Sequence, residues 1–164
     1  MAGARFHKPM RYPGHEYRAP CSVHVTICTW NRQWLFGEIS PKGVVLNDAG
    51  RFVEAAIRGL HAPDRGIEID TSLVMPDHLH TIIHLGTQPL VETPASIPNL
   101  VGEFKLRVVR SWRNGVRRRR WMPYNAHLWQ KTYYDTIIRN DRHLERTREY
   151  ILGNPGRWIQ RHGR

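Results

Sequence analysis

Val74-Met75-Pro76-Asp77-His78-Leu79-His80-Thr81-Ile82-Ile83-His84-Leu85 joins an apolar strand signal to two histidines one residue apart. Side chains alternate faces along a strand, so His78 and His80 project together while Leu79 points the other way. Leu79, Ile83 and Leu85 then anchor the strand in a core. The two imidazoles, held side by side by the backbone, are the beginning of a metal or phosphate site. They lack a nucleophile, a third ligand and a polyanionic substrate.

Outward from this stretch the chain alternates strand and helix patterns. Ile67 to Met75 reads as the preceding strand, and Pro76-Asp77 as a tight turn or bulge, giving an antiparallel hairpin with residues 78–85. Upstream, Ser22 to Thr29 alternates cleanly, with Val23, Val25 and Ile27 on one face of a half-buried first strand. Asn47-Asp48 caps a helix whose Ala49, Phe52, Val53, Ala56, Ile57 and Leu60 recur at helical spacing. Pro63 and Gly66 stop it. Downstream, residues 86–98 read as a Pro-rich loop and Asn99 to Arg113 as a second helix, with Val101, Phe104, Val108 and Trp112 inward. Leu128 to Ile138 can supply a fourth strand. A last helix spans about Asp141 to Gly153 and ends at Pro155-Gly156. The order β-α-β-β-α-β predicts an α+β, ferredoxin-like (RRM-like) sandwich. It has a four-stranded antiparallel sheet with helices on one face, plus a C-terminal helix carrying Tyr150.

Residues 1–20, interrupted by Pro9, Pro13 and Pro20, read as an extended arm, residues 21–156 as one domain, and residues 157–164 as a short basic tail. The chain's 164 residues suit one core, and 40% hydrophobic content excludes a disordered chain. No apolar run is long enough for a membrane, and Met1 to Tyr12 has no apolar segment of the secretory kind. Cys21 and Cys28 have no zinc spacing and read as free thiols of a reducing cytoplasm. Lys and Arg outnumber Asp and Glu by 25 to 14, a formal charge of +11. A small soluble domain most commonly tolerates such self-repulsion because it meets phosphate backbones.

Tyr150 and Asn154 lie one helical turn apart, beside the stripe marked by Leu144 and Ile151. On this helix alone the plainer reading is a boundary tyrosine with Asn154 as C-terminal cap. The combination with the histidines changes that. His78-Leu79-His80 resembles the HUH motif, histidine–hydrophobic–histidine, of enzymes that nick single-stranded DNA through a tyrosine. Met75 to His80 is similar to the single-tyrosine HUH transposases of small insertion sequences. So are Asn99 to Trp112 with its Phe104-Lys105 pair, Trp129-Gln130, and Tyr133-Tyr134-Asp135. Glu149-Tyr150-Ile151-Leu152-Gly153-Asn154-Pro155 resembles the branch called REP-associated tyrosine transposases. The resemblance covers roughly residues 20–156. Thr136 stands where family members often carry a histidine, which puts any auxiliary role there in doubt.

The resemblance implies that His78, His80 and Asn154 hold a divalent cation, Mg2+ or Mn2+, and that Tyr150 attacks phosphorus to leave a 5′-phosphotyrosine. It implies single-stranded or hairpin DNA as substrate, a monomer or homodimer, and a cytoplasmic, nucleoid-associated location. Among the other tyrosines, Tyr12 and Tyr17 fall in the arm, Tyr124 in a loop, and Tyr133 and Tyr134 in a strand-like segment. His84 and His24 read as DNA contacts or as satisfied surface histidines.

Between Lys105 and Arg120 lie Lys105, Arg107, Arg110, Arg113 and the run Arg117-Arg118-Arg119-Arg120, without one acidic residue. Trp112, Trp121 and Trp129 are interleaved, so phosphate contacts and base stacking are expected here, Trp129 included. Asn31 and Arg32 are further candidates. Three other readings compete: a catalytically silent DNA- or RNA-binding module of the same fold, a metal-dependent hydrolase using water, and a rolling-circle initiator or relaxase. Replication initiators and relaxases are usually larger.

Overall fold

The computed structural model describes residues 20–86 and 95–162. The expected arm up to Ala19 and residues 87–94 of the expected loop lie outside them. Strand β1 (Cys21–Cys28) occupies the centre of the sheet, flanked on one side by β5 (His78–Leu85) and on the other by β6 (Tyr134–Ile138). Strand β4 (Ile67–Met75) pairs with the outer side of β5, giving the order β4-β5-β1-β6 with every pairing antiparallel. This is the ferredoxin-like order expected from the chain. Met75 pairs with His78 across the two-residue turn Pro76-Asp77, and the pairing shifts at an irregularity between Ile69 and Ser72.

Two helices cover the first face of the sheet. Helix α1 (Asp48–Arg58) is capped by Asn47, whose side chain accepts from Gly50 N at 2.8 Å. Helix α2 (Ile97–Arg119) starts two residues earlier than expected and runs six residues further. Pro98 falls in its first turn, where a fixed φ and a missing N–H cost nothing. At the other end, arginine is a good helix former and its charge suits the negative pole of the helix. Thus the arginine run continues the helix instead of forming a loop. Gly115 lets it pack, since a Cβ there would lie 2.0 Å from the Trp121 ring. Val23, Val25, Ile27, Leu79, Ile83 and Leu85 meet Val53, Ile57, Leu100, Phe104 and Val108 in this main core.

The second face carries a smaller cluster. Helix α3 (Asp141–Leu152), capped by Asn140, lies across it and buries Ile151 against Ile82 and Ile138, with Leu73 and Leu144 packed alongside. Its bounds match the expected helix, but Pro155-Gly156 does not end helical structure. After Gly153 the chain turns directly into α4 (Asn154–His162), with Pro155 in the first turn. Much of the expected tail is therefore helical, and Trp158 packs edge-on against Trp34 with ring centroids 5.3 Å apart. A two-stranded hairpin, β2 (Gly37–Ser40) and β3 (Gly43–Leu46), surrounds the Pro41-Lys42-Gly43 turn, where only a turn was expected.

Candidate active site

Even-numbered residues of β5 face α3. The pairings Cys28 with His78, Thr26 with His80, and His24 with Ile82 put Thr26 and His24 on the same face. His78 and His80 are both buried, and their Nε2 atoms lie 3.1 Å apart. The Asn154 amide nitrogen lies 2.7 Å from His80 Nε2, and a half-turn of that amide would present its oxygen to the same point. Tyr150 sits on α3 with its ring edge-on to His80, centroids 5.7 Å apart, and 6.1 Å from the His24 ring. It is 48% exposed, so its ring is reachable from solvent.

The second ring nitrogens are held from behind. Asp77 Oδ1 accepts from His78 Nδ1 at 2.6 Å, and Arg32 Nε donates to Asp77 Oδ2 at 2.8 Å. His80 Nδ1 lies 2.9 Å from Thr26 Oγ1 and 3.2 Å from His24 Nε2. With both protons on Nδ1, both Nε2 lone pairs aim at the same small volume. In that tautomer a cation between them would satisfy both, whereas with a proton on either Nε2 one ring donates to the other. A second proton on His80 is disfavoured, because burial, then the charges of His78, His24, Arg32 and Arg157, push its pKa well below its ordinary value. Burial and nearby His143 push His24 down to about 4. Two neutral imidazoles and an amide oxygen fit a divalent transition cation such as Mn2+ better than Mg2+, which prefers oxygen. Among the described residues no group of three or more His, Cys, Asp or Glu could hold a metal ion.

The four central candidates, His78, His80, Asn154 and Tyr150, are thus brought together. Asn154 is not on the helix of Tyr150 but opens α4, and the Gly153 break turns its amide toward His80. His24 is part of this constellation, partly buried with its Nε2 3.2 Å from His80 Nδ1. His84 is the satisfied histidine: its Nδ1 lies 2.6 Å from Ser22 Oγ and its Nε2 lies 3.0 Å from Asp70 Oδ2. Sequence reasoning missed Asp77, although it directly precedes His78, and Arg157, whose guanidinium carbon lies 4.6 Å over the Tyr150 ring.

Several expected DNA contacts lie elsewhere. Arg32 is turned inward, toward Asp77, His78 Nδ1 and Cys28 Sγ, by positive φ angles at Asn31 and Arg32. Lys105 Nζ donates to the carbonyls of Gln130 at 2.8 Å and Thr132 at 3.2 Å, and burial pushes its pKa down to about 8. Trp129 is only 7% exposed, wedged against Phe36 and Phe104, so no ring face remains for a base. Trp112 and Trp121 are buried as well. Asn31, Arg107, Arg110, Arg113 and Arg117 to Arg120 are exposed, with Arg107 paired to Glu103 at 3.3 Å. The α2 arginines belong to the helix layer across the sheet from Tyr150.

Comparison with known proteins agrees with this architecture. The family described as "Transposase IS200 like" matches residues 18–154. An uncharacterized protein of Haemophilus influenzae is 30% identical over 174 residues, covering 97% of this chain and 93% of that one. A solved structure described as a REP-associated tyrosine transposase bound to a REP hairpin shares the fold at TM-score 0.61 and 19% identity. That match covers 90% of this chain and 74% of the other. The chain belongs to the IS200-like transposase family, and its function class is DNA transposition.

Proposed function

We propose that this transposase cleaves and rejoins single-stranded DNA at hairpin-bearing sequences through a 5′-phosphotyrosine on Tyr150, as the REP-associated branch of the family implies. The observation that carries the reading is the convergence of His78 Nε2, His80 Nε2 and the Asn154 amide beside the Tyr150 ring. His78, His80 and Asn154 would hold the divalent cation, Mn2+ or Mg2+. When bound, the cation supplies charge that offsets what builds on the phosphoryl oxygens.

The chain's own residues do the rest. Asp77, braced by Arg32, keeps the His78 proton on Nδ1, while Thr26 and His24 hold the His80 proton there. Tyr150 Oη forms a bond to phosphorus as the bond from phosphorus to the 3′-oxygen breaks. The phenolic proton departs and the 3′-oxygen gains one. Because one phosphodiester replaces another, attack by a 3′-hydroxyl reverses the step without a nucleotide triphosphate.

The hairpin named for the solved relative supports a hairpin substrate here. Exposed Arg110, Arg113 and Arg117 to Arg120 are assigned to stem phosphates, away from the tyrosine. His80 and Tyr150 of the same chain are neighbours, which supports a monomer acting in cis. Its place of work would be the cytoplasm, at DNA. No helix among the described residues is long and apolar enough to cross a membrane.

The deciding experiment incubates the full chain and Tyr150→Phe with hairpin-bearing single strands and Mn2+, then resolves covalent adducts on denaturing gels. An adduct with the native chain and none with Tyr150→Phe is expected. No adduct from either chain, with binding intact, would leave a silent binding module. Cleavage retained by Tyr150→Phe would mean that water attacks.

A further inference from the structure

Two clefts open on the α3 side of the sheet. One is lined by His24, His143, Arg146, Thr147 and Tyr150, the other by Thr136, Ile137, Arg139, Asn140, His143, Arg146 and Asp135. They share His143 and Arg146, so they form one groove from Tyr150 to β6, which closes the sheet on that side. On a helix, residues 142, 143, 146 and 150 fall within a sector of about 100°. Arg142, Arg146 and Tyr150 therefore make a stripe at i, i+4 and i+8, with about 6 Å of rise between successive members.

Glu149 is exposed beside the Arg142–Arg146 stripe. Glu145 is paired to Arg148, whose guanidinium turns toward Asp70 on β4. Arg142 and Arg146 are exposed and form no ion pair among the described residues. Asp135 is the one carboxylate among the residues lining the two clefts, and its Oδ1 is shut from solvent. A groove lined by Thr136, His143 and Arg146, with Arg142 one turn before Arg146 on the same stripe and an exposed tyrosine at its end, suits a single polyanionic strand.

We propose that this groove holds the sugar–phosphate backbone of the unpaired strand flanking the scissile phosphate, with Arg142 and Arg146 on successive phosphates and His143 between them. This rests on the reading of Tyr150 as the attacking residue and adds the path by which the strand reaches it. None of these residues belonged to the basic region expected from the sequence, which lies across the sheet.

The test uses the full chain carrying Tyr150→Phe, so that binding is measured without chemistry. Probes are a fluorescent blunt DNA hairpin and the same hairpin with a ten-nucleotide 5′ or 3′ thymidine tail, titrated by anisotropy over a salt series. Arg142→Ala combined with Arg146→Ala should weaken binding of a tailed hairpin at least about tenfold. It should also lower the salt slope by about 1.4, the value for two single-strand phosphates. The blunt hairpin should bind as before. Loss with one tail only assigns the groove to that flank, and loss with both assigns it to both. An equal loss with the blunt hairpin, or none with either tail, overturns the proposal. Failure of the Tyr150 reading looks different: the unsubstituted chain then forms no adduct while these affinities stay measurable.

Discussion

Arg148 on α3 and Asp70 on β4 form the ion pair that closes the tyrosine helix onto the sheet. Arg148 Nε donates to Asp70 Oδ1 at 3.1 Å, and Nη2 donates to Oδ2. Thr71 Oγ1 adds a bond to Oδ1 at 2.6 Å, and His84 Nε2 lies 3.0 Å from Oδ2. The hydrogen bond from Arg148 holds the Asp70 carboxyl far below the usual carboxylate range, so the pair stays charged at any working pH. Arg148 precedes Tyr150 by two residues, which makes this pair a positioning device. Asp70→Asn should slow single-turnover adduct formation about tenfold to a hundredfold, the scale of a small misplacement of a reacting group. DNA affinity should stay within about twofold, because neither residue faces the strand. A parallel loss of affinity and rate would reject the positioning role.

Tyr150 and His80 of one chain are neighbours, and the cis arrangement proposed from this has its own test. Tyr150→Phe chains mixed with His80→Ala chains should form no adduct, because each carries half of a site that works in cis. Recovery of adduct in the mixture, read on denaturing gels with the separate chains as controls, would show that a partner donates the tyrosine.

Asp77 should matter through His78. Its carboxylate fixes the imidazole proton on Nδ1 and is itself held by Arg32 at 2.8 Å. Loss of such a supporting carboxylate typically costs 10- to 100-fold in metal affinity, so Asp77→Asn should weaken Mn2+ binding by about that much in calorimetric titration. Unchanged binding would mean that the pair only ties the hairpin turn.

The contrast between what sequence revealed and what it hid has a physical basis. Strand alternation is strictly local, so Leu79, Ile83 and Val25 announced their face, and with it the side of His78 and His80. Helical spacing likewise exposed α1 through Val53, Ala56 and Ile57. Asn154 was found for the right neighbour but on the wrong helix, because a Pro in a first turn starts a helix as readily as it ends one. The error at Trp129 and Lys105 is of another kind. Interleaved tryptophans and cations look alike whether the rings meet bases or each other, and only tertiary contact tells them apart. Arg142 and Arg146 escaped notice because their partner surface is built from β1 and β6, far away in sequence.

Protonation gives a prediction of its own. His24 is pushed down to about 4 and His80 well below its ordinary value, both first by burial. Unfolded histidines titrate near 6.5, so below that pH the unfolded chain binds protons that the folded chain refuses. Stability is therefore full above about pH 6.5 and falls as pH drops through the window toward about 4. His143 faces His24, while His78, His24, Arg32 and Arg157 face His80, and all oppose added positive charge. Thermal unfolding of the metal-free protein at fixed ionic strength should show a falling midpoint between about pH 6.5 and 4, with a shallower slope in His24→Gln. A flat profile would mean that these rings are readily protonated in the folded state.

Trp129 separates core from interface. Its ring lies 5.4 Å from Phe36 and 5.6 Å from Phe104 between centroids, on the helix side of the sheet. Removing a buried indole leaves a cavity that the surrounding strands and α2 cannot fully close. Trp129→Ala should thus cost about 3–5 kcal/mol in urea unfolding. At temperatures where the variant stays folded, its affinity for single strands should match that of the native chain. Arg117→Ala with Arg118→Ala should do the reverse, since both side chains are exposed at the end of α2. Stability should move by less than about 0.5 kcal/mol, as surface substitutions do. Hairpin affinity should fall and its salt dependence flatten. If Trp129→Ala instead weakened DNA binding with stability intact, the indole would have to leave the core to meet a base, and the packing described for this face would be wrong.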